Sequence, residues 1–147
     1  MIVAFVGDNT QIRDVSANEF INGFINIHGN IAVDKFRADE LELPQLMDAI
    51  TTAPFLTPKR LVVVRGFTSN KTLSESLQKI INSIADTTDL VFIEDRLDTR
   101  TKVTAEFKKL VEVREFAQLD SDALFNWIIS EAEKNGGNIS YTSAVYL

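Results

Sequence analysis

The chain has 147 residues, of which 45% are hydrophobic and 24% charged, with a formal net charge of −6 and no cysteine. This length suits about one domain, and no apolar run approaches the roughly 20 residues that would cross a bilayer. The missing cysteines exclude disulfides, thiolate metal sites and cysteine nucleophiles, and the acidity argues against a nucleic-acid site. Since no secretory signal follows Met1, we expect a cytoplasmic protein.

Short runs rich in β-branched and aromatic residues predict strands, and several are almost entirely apolar, which is typical of parallel strands covered on both faces. Segments with helical spacing of apolar residues separate them. The predicted strands span residues 2–6, 31–36, 61–64, 90–93 and 111–116, with a helix through residues 73–84 and another at 102–110. The sequence therefore predicts an α/β fold, a three-layer parallel sheet of about five strands.

The turn after the first strand reads Gly7-Asp8-Asn9-Thr10, where many parallel α/β folds bind phosphate. A Walker A loop needs a second glycine followed by lysine and serine or threonine, but the next glycine is Gly23 and the next lysine is Lys35. Asp8 puts a carboxylate where the anion would lie, and we expect it to cap the following helix. The sequence therefore predicts no nucleotide and no other cofactor.

A proline-bracketed turn precedes the third strand. Residues 46–52 have helical character and lead into Ala53-Pro54-Phe55-Leu56-Thr57-Pro58. Because proline disfavours helix at the residue before it, the helix should end near Ala53. Two alternatives remain open for Phe55, which either folds back over the sheet or projects as an apolar plug for a partner's pocket.

Acidic residues follow the first and fourth strands, at Asp8, Glu94, Asp95 and Asp98. Gathered at the carboxyl edge of the sheet, they could hold Mg²⁺ for phosphoryl transfer, as in a receiver-like domain. Loop acids are common at strand ends, however, and the phosphate-binding lysine is missing. We therefore expect solvated carboxylates and helix caps, with no metal site and no catalytic residue.

The pattern changes near residue 118. Asp120 or Ser121 can cap a new helix that ends at Asn135-Gly136-Gly137. Its apolar positions are Leu124, Trp127, Ile128 and Ala132. In residues 139–147, Ser140 or Thr142 can act as a further cap before apolar residues, and the chain stops without partner elements to cover them, which we interpret as a truncation. The predicted domains are residues 1–117, an α/β base, and residues 118–147, the beginning of a helical unit.

Several segments together carry a resemblance to a known family. They are the Gly7-Asp8-Asn9 turn and residues 46–56, 58–65, 88–94, 98–102 and 116–132. In order and spacing they resemble the N-terminal region of the delta subunit of the bacterial clamp loader, part of the DNA polymerase III holoenzyme. The resemblance covers nearly the whole chain.

The resemblance implies an AAA+-like base domain without an ATP site and the start of a helical lid. Members of the family bind the ring-shaped sliding clamp during DNA replication and open one interface with an apolar pair, which maps onto Pro54 and Phe55 with Leu56 beside them. Pro54 replaces a bulkier leucine of some members. The resemblance also implies a non-catalytic chain that meets other clamp-loader subunits through a missing C-terminal region and contacts DNA only indirectly.

Two other functions remain open. One is the Mg²⁺-dependent phosphoryl-transfer domain built on the acidic strand ends. The other is a general protein-interaction adaptor whose contact surface lies elsewhere, such as the basic helix with Lys102, Lys108 and Lys109. A charged helix face is usually only solvated, which weakens the second alternative.

Overall fold

The computed structural model describes residues 1–117 and 121–134. The chain divides into two compact units, Met1–Phe116 and Ala117–Leu147. Within the described ranges, no helix combines the length and the apolar character needed to span a membrane.

The first unit alternates strands and helices, as the sequence predicts. Its strands are β1 (Ile2–Val6), β2 (Val33–Arg37), β3 (Arg60–Arg65), β4 (Thr88–Glu94) and β5 (Glu112–Glu115). Its helices are α1 (Thr10–His28), α2 (Leu43–Thr51), α3 (Lys71–Glu75), α4 (Leu77–Ser83) and α5 (Lys102–Leu110), with short 3-10 turns at Asn30–Ala32, Ala38–Glu40 and Phe67–Ser69.

The strands form one five-stranded sheet in the order β2-β3-β4-β1-β5, and every neighbouring pair is parallel. The apolar runs of β1, β3 and β4 lie in the middle because they are covered on both faces, whereas the more polar β2 and β5 lie at the edges. One face packs against α1, and the other packs against α2, α3, α4 and α5. The predicted three-layer parallel α/β fold is confirmed.

Three local predictions need correction. β2 begins at Val33 because Asn30–Ala32 forms a 3-10 turn. The helix predicted through residues 73–84 is two helices, since Ser76 between them has a non-helical backbone with φ −101° and ψ 10°. The cap of α1 is Asn9 rather than Asp8, because the Asn9 side chain accepts the hydrogen bond from the Ile12 N–H.

The second unit contains helix α6 (Ser121–Lys134), where the sequence predicts a helix. Trp127, Ile128 and Ala132 are each half-buried. Four predictions lie outside what the structure describes: the capping role of Asp120, the side chain of Leu124, the glycine stop at residues 135–137 and the capped segment 139–147.

Candidate functional site

The turn between β1 and α1 is held tightly by the chain's own backbone. Asn9 N–H donates to the Phe116 carbonyl at 3.1 Å, and Phe116 N–H donates to the Val6 carbonyl at 2.7 Å. The segment after β5 therefore lies against the turn. Gly7, at φ +149°, leaves no room for a side chain, because an added Cβ would stand 2.0 Å from the Phe116 carbonyl oxygen. This glycine serves a close approach of two backbones.

Arg13 fills the crevice at the carboxyl ends of β1 and β4. It is 4% exposed, and its Nη1 donates to the carbonyl oxygens of Gly7 at 3.2 Å and Glu94 at 2.8 Å. The same nitrogen pairs with Asp95 at 2.8 Å, and Nε donates to Asp14 at 3.0 Å. In nucleotide-binding domains of this topology, phosphates lie at this edge of the sheet. Here an arginine of the chain itself lies in that place.

Three of the first four N–H groups of α1 are also engaged. Those of Thr10, Ile12 and Arg13 donate to Asp8 O, Asn9 Oδ1 and Asn9 O. A phosphate cradle depends on such donors being free. Arg13 is not among the site residues predicted from the sequence, although the sequence contains a signal for it. A cation in the first turn opposes the helix dipole, so it needs nearby carboxylates such as Asp14 next to it.

The acidic residues predicted at the strand ends do not form a cluster. Glu94 is 2% exposed, and its carboxylate accepts hydrogen bonds from the Thr68 N–H at 2.9 Å and the Thr68 hydroxyl at 3.3 Å. Asp95 pairs with Arg13, and Asp98 pairs with Arg100 at 3.1 Å. Among the residues described, no group of three or more acidic or histidine side chains could hold a metal ion. The geometry thus gives the magnesium alternative no assembled site.

Glu94 gives the domain a pH-dependent stability. Burial raises the pKa of Glu94 from 4.5 to about 7, against the hydrogen bonds from Thr68, which lower it. A folded-state pKa above the unfolded value means that the contribution to stability is fully present below pH 4.5 and is lost as the pH rises through about 7. The ionised carboxylate therefore destabilises the folded chain.

Glu94→Gln should remove this pH dependence. Glutamine keeps an oxygen for the Thr68 N–H and stays uncharged, so the free energy of unfolding at pH 8 should rise by about 2–3 kcal/mol relative to wild type and change little at pH 5. Denaturant unfolding of both proteins at the two pH values measures this. The exposed Glu75→Gln should keep the wild-type pH dependence. An equal gain from Glu94→Gln at both pH values would contradict the ionisation argument.

The loop of residues 52–59 leaves from a firmly anchored helix. Leu46 and Ile50 of α2 are fully buried. The last carbonyls of α2 find tertiary partners, because the Arg60 guanidinium donates to Ala49 O at 2.9 Å and the Ala85 N–H donates to Ile50 O at 2.9 Å. Satisfied carbonyls at a buried helix end fix where that end lies. The loop therefore starts from a rigid base.

Phe55 projects from this loop into solvent. Its side chain is 96% exposed, and the neighbouring Leu56 is 70% exposed, whereas Pro54 is half-buried. The alternative that Phe55 folds back over its own sheet is therefore wrong. Because the loop leads into β3, these residues lie at the amino edge of the parallel sheet, opposite the Arg13 crevice. The three predicted site residues are consecutive on one exposed turn.

The basic helix named as an alternative contact surface is α5. Lys102, Lys108 and Lys109 are all exposed on it. Lys108 and Lys109 belong to its last turn, where positive charge is favourable beside the helix dipole. The helix dipole by itself explains why Lys108 and Lys109 lie at the end of α5, so no partner protein is needed to explain them.

The fold and the site together define a class, a parallel α/β domain that holds Arg13 in the crevice at the carboxyl ends of β1 and β4 and carries an exposed apolar loop at the opposite edge. The sequence model of the family described as DNA polymerase III, delta subunit, matches residues 29–117, which is more than half of the chain. The chain belongs to this family.

A solved structure agrees with this assignment at the level of fold. The Bacillus subtilis DNA clamp loader delta protein (YqeN) superposes with a TM-score of 0.77 at 21% sequence identity. The alignment covers 99% of this chain and 47% of that protein, so the chain spans about half its length. A search of curated proteins gives no match.

Proposed function

We propose that this chain binds a sliding clamp through Pro54, Phe55 and Leu56 and helps to open the ring, without hydrolysing ATP. The observation that carries the proposal is Phe55, 96% exposed beside the 70% exposed Leu56 on an anchored loop. Large apolar side chains rarely stand fully in solvent together, and such groups mark binding sites. Membership of the delta subunit family, together with a fold similar to that of a clamp loader delta protein, supports a sliding clamp as the partner.

The rigid base of the loop supports a role in opening the ring. A protein opens a ring only by binding the open or strained interface better than the closed one. Phe55 would provide the affinity. Helix α2 would transmit the strain, because Leu46 and Ile50 bury its inner face and Arg60 holds its last turn. A loop on a mobile base would bend instead of holding the ring under strain.

The closed crevice supports a chain that performs no ATP hydrolysis. Arg13 occupies the carboxyl ends of β1 and β4 with four short contacts, and the N–H groups of Thr10 and Ile12 at the start of α1 are already bonded. We propose that in the assembled loader the energy of nucleotide hydrolysis comes from other subunits. The same proposal has three further parts. The chain contacts those subunits through a region beyond residue 147, residues 118–147 begin a lid, and the protein acts in the cytoplasm.

Calorimetric titration of the sliding clamp from the same organism into this chain tests the binding step. We expect saturable binding. A clamp labelled with a fluorophore pair across one subunit interface tests the opening step, because the distance between the labels should increase when the chain is added. A folded chain that gives no binding heat at any accessible concentration would contradict the proposed function.

A further inference from the structure

Exposed apolar side chains are concentrated at the amino edge of the sheet. In the described part of the chain the large ones are Met1, Val15, Ile27, Ile31, Phe55 and Leu56. Ile27, 77% exposed, lies in the last turn of α1, and Ile31, 65% exposed, lies in the 3-10 turn that leads into β2. Val15 is the exception, because it lies in the first half of α1, which is closer to the carboxyl edge. Exposed apolar residues scattered singly need no explanation, but these have a common location.

Ile31 and the Phe55 loop lead into neighbouring strands. β2 and β3 pair in parallel from Val33 with Leu61, so the segments before them approach the sheet from the same edge. Arg60 connects the two segments, because its Nε pairs with Asp34 of β2 at 3.0 Å while its Nη1 binds the end of α2. Ile31 and the loop therefore precede two paired strands that Arg60 ties to the end of α2, and Ile27 lies in the helix turn just before Ile31.

Phe55 and Leu56 by themselves are too small for a stable interface. A specific protein complex buries about 800 Å² on each partner, and an aromatic side chain supplies about 150–250 Å². Phe55 and Leu56 thus provide less than half of the area required. The contact has to extend along the edge.

We propose that Ile27 and Ile31 form a second contact with the sliding clamp, on the same amino edge of the sheet as the Phe55 loop. This inference rests on the proposed clamp binding. The occupant is an apolar part of the same clamp surface that receives Phe55. Phe55 would insert into a pocket of the clamp. The two isoleucines would add buried area that fixes the orientation of the clamp relative to α2.

The test compares three variants of the chain in clamp titrations. The double variant Ile27→Ser/Ile31→Ser should weaken clamp binding by about 5- to 20-fold, as loss of well-buried apolar contacts does. Val15→Ser, an exposed apolar residue of the same helix near its other end, should bind as the wild type does. Phe55→Ala should show the largest loss. Circular dichroism melting should give wild-type melting temperatures for all three, because the changed side chains face solvent.

The outcomes separate this inference from the function on which it rests. If the wild type binds and Phe55→Ala does not, but the double variant binds as tightly as the wild type, the second contact is wrong and the clamp function stands. If the double variant and Val15→Ser lose affinity equally, the effect is not specific to this edge and the inference is also wrong. If the wild type fails to bind, the proposed function falls, and the second contact falls with it.

Discussion

Replacing Phe55 by alanine should remove most of the affinity for the sliding clamp and leave the folded chain almost unchanged. The side chain is 96% exposed in the free protein, so truncation costs the fold almost no buried area. In the complex the same ring would be buried, and losing it should cost about 1.5–3 kcal/mol, or roughly 10- to 100-fold in Kd. Affinity and stability should therefore respond independently.

The measurement is a pair of experiments on each protein, a clamp titration and a thermal melt. Phe55→Leu keeps part of the apolar surface and should fall between wild type and alanine in affinity. Val15→Ala provides the control for removing an exposed apolar side chain elsewhere. A melting temperature that drops by several degrees in Phe55→Ala would mean that the ring packs on its own chain. Unchanged clamp affinity would remove the loop from the interface.

Gly7→Ala should unfold the domain at a much lower temperature. The residue has φ +149°, and a Cβ there would lie 2.0 Å from the carbonyl oxygen and 2.6 Å from the carbonyl carbon of Phe116. Those atoms are backbone, so relief requires the segment after β5 to move away and break its hydrogen bonds to Val6 and Asn9. We expect a loss of about 3–5 kcal/mol, which lowers the melting temperature by about 10 °C.

Gly23→Ala is the matched control for this substitution. Gly23 lies within α1, and an added Cβ there meets no atom within 4 Å. Alanine in an open helical position should stabilise the chain by about 0.5–1 kcal/mol through its better helix propensity. The two glycine variants should therefore shift the unfolding midpoint in opposite directions. A Gly7→Ala protein as stable as wild type would show that the turn can relax away from Phe116.

Arg13 shows why only part of the site at the carboxyl edge of the sheet could be predicted from one sequence. The absence of the phosphate-binding lysine can be predicted from the sequence, because a Walker loop is a short motif of consecutive residues. The position of Arg13 in this crevice could not be predicted, because Arg13 contacts Glu94 and Asp95 only after β1 and β4 pair. Contacts between positions about 80 residues apart depend on strand order, which short-range patterns do not encode.

Glu94 makes the same point for the acidic strand end. The sequence shows an acid after an apolar strand and leaves open whether it faces solvent, a metal or the interior. In the structure, the N–H of Thr68, in the turn after β3, donates a hydrogen bond to the Glu94 carboxylate, and burial raises the pKa of Glu94 to about 7. The residue type was visible, but the low-polarity surroundings that decide its chemistry come from another segment.

The sequence by itself determined the parallel α/β class, the alternation of strands and helices, the lack of a Walker loop and the position of the proline-bracketed turn. These features depend on residue periodicity and on short motifs, which are local. Only the tertiary structure decided which way Phe55 points, since both orientations satisfy the same turn. Arg60 and Ala85 anchor the end of α2 from β3 and from the segment before β4, and Phe55 projects into solvent from the loop that follows, at the amino edge of the sheet.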